Sequence, residues 1–96
     1  AYFELGRSYL ALGQHEEEVN AYMEAIELYP KYTLAHYNLA MAYDLLKDGP
    51  NAIKHMLRAL DQYSGKRNHV QIRNVQRQLK RLYLKYQSKT QRPKKP

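Results

Sequence analysis

The chain resembles itself when shifted by 34 residues. Leu5 falls on Leu39, Gly6 on Ala40 and Tyr9 on Tyr43. Val19 falls on Ile53, Tyr22 on Met56, Ala25 on Ala59, Ile26 on Leu60 and Tyr29 on Tyr63. The coinciding positions are apolar or small, while the polar ones drift. That is the imprint left when packing alone maintains a period. A fixed period of this length indicates stacked supersecondary units, each burying its apolar face against the next.

Each period reads as two helices. The first unit predicts a helix over about 1–12, a break at Gly13–Gln14 and a helix over about 15–29. Pro30 ends it, because proline cannot continue a helix and restricts the residue before it. The second unit predicts a helix from Thr33, a candidate N-cap, to about Leu46. After a break at 47–50 a further helix runs to about Tyr63, with Pro50 in its first turn, where a missing N–H costs nothing. Gly65 is expected to close it as a left-handed C-cap. Gly6 stands mid-helix, where glycine costs about 1 kcal/mol against alanine, so a neighbour must approach the backbone closely there. Tyr22 and Met56 are the residues expected to fill the gap between helices.

The spacing of these residues resembles the tetratricopeptide repeat, whose pattern is a large residue, Leu-Gly, Tyr, a small residue, an aromatic, Ala and Pro. The first unit supplies Tyr2, Leu5-Gly6, Tyr9, Tyr22, Ala25 and Pro30. The second supplies His36, Leu39-Ala40, Tyr43, Ala52, Met56 and Ala59, with Ser64 in place of the proline. Glu18 departs from the pattern, which has a small residue there. The resemblance covers about residues 1–64. It implies an all-α fold, a right-handed α-solenoid of antiparallel helix pairs. The expected organisation is one unit over 1–32, a second over 33–66, a basic amphipathic capping helix over 67–87 and a disordered basic tail over 88–96.

The capping helix follows from periodicity. Thirty-four residues beyond Leu39, Ala40 and Tyr43 stand Arg73, Asn74 and Arg77, so no third repeat follows in the same register. At about 100° per residue, Ile72, Val75, Leu79, Leu82, Tyr83 and Tyr86 share one sector. Arg73, Arg77, Lys80, Arg81 and Lys85 fall opposite. Asn68 is a candidate N-cap. Terminal units of a solenoid need a polar outer face, and this helix offers one. Charge is divided unevenly along the chain. Residues 1–64 carry five basic and nine acidic side chains, a net −4, whereas residues 65–96 carry eleven basic and no acidic ones, a net +11. A face of one sign attracts acidic protein tracts, nucleic acid or an anionic membrane surface.

In tetratricopeptide proteins the first helix of each unit lines a concave groove. Carried over by position, that lining is Phe3, Arg7 and Leu10 from the first unit and Leu34, Tyr37, Asn38, Met41 and Leu45 from the second, with Gln71 and Val75 as candidates from the closing helix. The surface is apolar and aromatic with few charges, suited to a peptide or an apolar helical segment read by side-chain pockets. Some members grip a C-terminal carboxylate with Lys, Asn, Asn, Lys and Arg. Those sites are Phe3, Arg7, Asn38, Asn68 and Ile72 here, and only Asn38 matches.

Catalytic signals are lacking. No histidine pair stands at i, i+4, so no helical metal site is expected. His36 occupies a core position of the repeat, and His55 and His69 read as isolated and exposed. Glu16, Glu17 and Glu18 open a helix, where acids complement its dipole. There is no Gly-rich phosphate loop and no nucleophile with a neighbouring base. The expectation is a protein-binding scaffold without cofactor, not an enzyme. The alternatives are an anionic partner on the basic helix and self-association into a homo-oligomer, since two repeats plus a cap fall short of the roughly three usually needed. The chain starts at Ala1 inside an apolar-periodic segment, which reads as a piece of a longer protein. No apolar run approaches the roughly 20 residues that span a bilayer.

Overall fold

The computed structural model describes the backbone of residues 1–90 and the side chains of residues 1–86. Five helices follow one another: α1 (Tyr2–Ala11), α2 (His15–Leu28), α3 (Thr33–Leu45), α4 (Gly49–Gly65) and α5 (His69–Thr90). Each packs chiefly on its neighbours in sequence, α1 on α2, α2 on α3, α3 on α4 and α4 on α5. Contacts between sequence neighbours are what make a helical repeat solenoid. Among the described residues no helix is long and apolar enough to cross a membrane. α5 continues through Thr90, into the span 88–96 expected to be a disordered tail; residues 91–96 lie outside the described residues.

One turn is used three times. The N–H groups of Gln14, Asp48 and Asn68 donate to the carbonyls of Tyr9, Tyr43 and Tyr63 at 2.9, 2.9 and 3.2 Å. Inside each, one residue is left-handed: Gly13 (φ 74°), Lys47 (φ 63°) and Arg67 (φ 55°). This is the Schellman closure of a helix end. Gly65 is therefore not the left-handed residue; it lies in the last turn of α4, and Arg67 takes that conformation. The α2–α3 connection differs, with Pro30 stopping the helix at Leu28.

The serine that replaces proline lets α4 run three residues beyond the equivalent end of α2, and the extension is used. Gln62 Nε2 donates to the Pro30 carbonyl at 3.2 Å, and the Thr33 hydroxyl donates to Gln62 Oε1 at 2.8 Å while accepting from Lys66 Nζ at 3.0 Å. Thr33 is thus the buried first residue of α3; Tyr32 holds the N-cap place, without a side-chain cap. Asn68 does cap α5, accepting the Gln71 N–H at 3.3 Å. Asp48 caps α4, accepting the Asn51 N–H at 3.2 Å.

The longer α4 also explains why the period stops. α5 begins 36 residues after α3 instead of 34. At that offset Ile72, Val75 and Leu79 replace His36, Leu39 and Tyr43. Val75 and Leu79 are buried, with Leu82, against Ala40, Ala52, Met56, Ala59 and Tyr63. A second cluster holds Phe3, Val19, Tyr22, Ala25, Ala35, Leu39 and Ala42, and Tyr43 packs against both.

The expected close approach at Gly6 is present. A Cβ there would lie 2.5 Å from the Tyr22 ring, and in the second unit Ala40 and Met56 share a core cluster instead. Leu5 and Leu39, equivalent in sequence, differ in burial: 42% and 0% exposed. α2 covers α3, whereas no described element covers the outer side of α1. His55 is not isolated as its sequence suggests. Its ring stacks between His36 (6.0 Å between centroids) and Tyr43 (5.6 Å).

Candidate peptide-binding groove

Side chains four, then three residues apart share one face of a helix. On α1 that face carries Phe3, Arg7 and Leu10; on α3 it carries Leu34, Asn38, Met41 and Leu45. The two faces enclose a groove of about 490 Å³, to which α2 adds Glu18 and Tyr22 and the end of α3 adds Asp44. Leu10, Leu34 and Leu45 are exposed, Phe3 is buried at the base, and Asn38 and Met41 are half-buried. Tyr37 lies apart from this lining. It packs against the core cluster of Val75, Leu79 and Leu82, and its hydroxyl accepts a hydrogen bond from Asn74 Nδ2 at 3.3 Å. Val75 is buried in that core and Gln71 is half-buried, neither in the groove lining.

The floor is more polar than the sequence indicates. Glu18 is 1% exposed, with Oε1 at 2.9 Å from His15 Nδ1. Tyr22 is 0% exposed and its hydroxyl has no hydrogen-bond partner among the described residues. Burial pushes the phenol above its ordinary pKa; Glu18's charge adds to this, while the Asn38 side chain and Arg7 oppose it. The sequence carries a sign of this floor, since Glu18 stands where the second unit has Ala52.

At the other end, Asp44 collects hydrogen bonds from α5. Arg81 Nη1 donates at 3.1 Å, Lys85 Nζ at 2.9 Å and the Tyr86 hydroxyl at 2.6 Å. Burial alone would raise the Asp44 carboxyl. Hydrogen bonds from Tyr86, Lys85 and Arg81 outweigh it and hold the group below its usual range. Tyr86 is pushed up to about 12, by burial and then by its hydrogen bond to Asp44. Nothing local in sequence marks this cluster, because its members lie 37 to 42 residues apart.

The five expected basic-face residues therefore divide. Arg73, Arg77 and Lys80 face solvent, whereas Arg81 and Lys85 are ion-paired to Asp44. Arg81 Nε also donates to Gln78 Oε1 at 2.9 Å. Among the described residues no group of three His, Cys, Asp or Glu side chains is placed to hold a metal.

Comparison with known families finds the tetratricopeptide repeat over residues 1–32, and a second profile of the same repeat over residues 21–64. No curated protein matches the chain. The matched span ends where α4 outruns α2. With the 34-residue period, the paired helices and the glycine-to-aromatic contact, these matches make the chain a member of the tetratricopeptide repeat family.

Proposed function

We propose that the chain holds a peptide or apolar helical segment of a protein partner in the groove between α1 and α3. Tetratricopeptide repeats generally mediate protein–protein interactions and typically act as non-enzymatic scaffolds. The observation that carries the reading is the juxtaposition of Leu10, Leu34 and Leu45, all exposed, around one groove that also holds Phe3 and Met41. Apolar side chains gathered in a concavity with a few polar groups are the usual form of a recognition site.

Placing Asp at Leu34 and Leu45 tests it. Both side chains are exposed, so helicity should stay and partner capture should disappear. Capture unchanged in the double variant would remove the groove from consideration. A nucleic-acid or membrane-surface role through Arg73, Arg77 and Lys80 has less support, since Arg81 and Lys85 are committed to Asp44. Self-association through the uncovered side of α1 would be read from light scattering at several concentrations.

A further inference from the structure

We infer that the groove selects a segment presenting a lysine or arginine side chain between apolar residues, with the cation seated on Glu18 and Tyr22. This deepens the proposed function and rests on the groove being the binding site.

The argument starts from an imbalance at the floor. A carboxylate accepts up to about four hydrogen bonds. Glu18, 1% exposed, makes one hydrogen bond of good geometry among the described residues, to a ring nitrogen of His15 on its own helix, and has the Tyr22 phenol for a neighbour. Among the described residues no lysine or arginine pairs with it. Beside it the buried Tyr22 hydroxyl makes no hydrogen bond of good geometry among the described residues, with the Asn38 and Glu18 side chains as its polar neighbours. Buried polar groups left in that state are costly, and those in native proteins are nearly always satisfied. Both groups belong to the lining of the same groove. An ammonium or guanidinium group entering there supplies donors to the carboxylate and the phenol oxygen together.

The other carboxylate in the lining does not compete. Asp44 already accepts from Arg81, Lys85 and Tyr86. The surroundings set the flanks of the bound segment: Phe3, Leu10, Leu34, Met41 and Leu45 call for apolar side chains on either side of the cation. An acidic segment would meet the Glu18 carboxylate, against one cationic side chain, Arg7, among the described lining residues.

The second repeat provides the control. Ala52, fully buried, stands where the first repeat has Glu18, so Glu18→Ala reproduces a packing this helix pair already uses. Random dodecapeptides displayed on phage would be selected against the full chain, Glu18→Ala, Glu18→Gln and the Leu34→Asp/Leu45→Asp variant. The expected outcome is enrichment of sequences with Lys or Arg between apolar residues on the full chain, and of purely apolar sequences on Glu18→Ala and Glu18→Gln. For a selected peptide, replacing its Lys by norleucine should weaken binding about tenfold, the scale of one charge-assisted hydrogen bond, and by much less against Glu18→Ala. No basic enrichment on the full chain, or the same enrichment on Glu18→Ala, overturns the inference while leaving the groove intact. Selection that is indifferent to Leu34→Asp/Leu45→Asp, or no selection at all, overturns the groove reading and this inference together.

Discussion

The ring of Tyr86 lies directly on Gly49: a Cβ at the glycine would come within 2.5 Å of two ring carbons. The contact joins the last part of α5 to the first turn of α4 and holds the Tyr86 hydroxyl on Asp44. Gly49→Ala should displace the ring and destabilise the chain by about 1–2 kcal/mol, the lower part of the overpacking range because Tyr86 is only half-buried. Tyr86→Phe keeps the ring and loses the hydroxyl's bonds to the Asp44 carboxylate and carbonyl, for about 1.5–3 kcal/mol, the scale of a hydrogen bond to a charged group. Urea midpoints compare the two; a Gly49→Ala chain as stable as the parent would contradict the contact.

Gly6 and Tyr22 form a size-matched pair whose counterpart is Ala40 and Met56. Gly6→Ala alone should cost about 1–3 kcal/mol by overpacking. Tyr22→Met added to it recreates the second unit's pairing and should recover most of the loss. The double-mutant cycle reads this as a coupling energy, and simple additivity would argue against size matching.

Lys47 and Arg67 hold left-handed backbone that Gly13 holds at the first turn. A left-handed residue with a Cβ costs roughly 1–2 kcal/mol, while glycine costs about 0.5–1 kcal/mol of unfolded-chain entropy. Lys47→Gly and Arg67→Gly are each expected to raise the thermal midpoint slightly, by up to about 1 kcal/mol in stability. A lowered midpoint would show that these side chains stabilise the turns in some other way.

Acid should act on the chain in two stages. His55, half-buried and close to His36, Lys54 and Arg58, has its pKa lowered to about 4, and burial with Arg58 lowers His36 against its hydrogen bond to the Pro30 carbonyl. The unfolded chain therefore binds protons that the folded one refuses, and stability falls as pH drops from 6.5 towards 4. Partial exposure of His55 keeps that loss on the order of 1–2 kcal/mol. Asp44 has a lowered pKa, so its share is present above the ordinary carboxylate range and disappears as pH falls through its folded value. Denaturant midpoints between pH 7.5 and 3 check both, with His55→Leu flattening the first stage and Asp44→Asn the second.

Helices, period and the Gly6 approach were legible because packing against a neighbour selects residue type position by position. The groove was legible for the same reason: Phe3, Arg7, Leu10, Leu34, Asn38, Met41 and Leu45 sit on two helical faces that the repeat turns together. Tyr37 escaped because α5, shifted by two residues, covers it with Asn74. Asp44 escaped because its three partners come from another helix. His55 reads as isolated in sequence, yet α4 brings it between two rings of α3. Gly65 suggested the wrong left-handed residue because the turn is counted from the Tyr63 carbonyl, which puts Arg67 in that place.

The 36-residue spacing of α5 from α3 also governs how this array can change length. Two extra residues roll a helix by about 200°, which carries Val75 and Leu79 inward and Arg73 and Arg77 outward. Removing two residues from the α4–α5 connection would reverse the roll and press arginines against Met56, so the helix should detach instead of repacking. Whole 34-residue blocks could be inserted ahead of Thr33 without disturbing that phase. Blocks appended beyond α5 would have to pack on a helix whose phase is set by that 36-residue spacing and not by the 34-residue period.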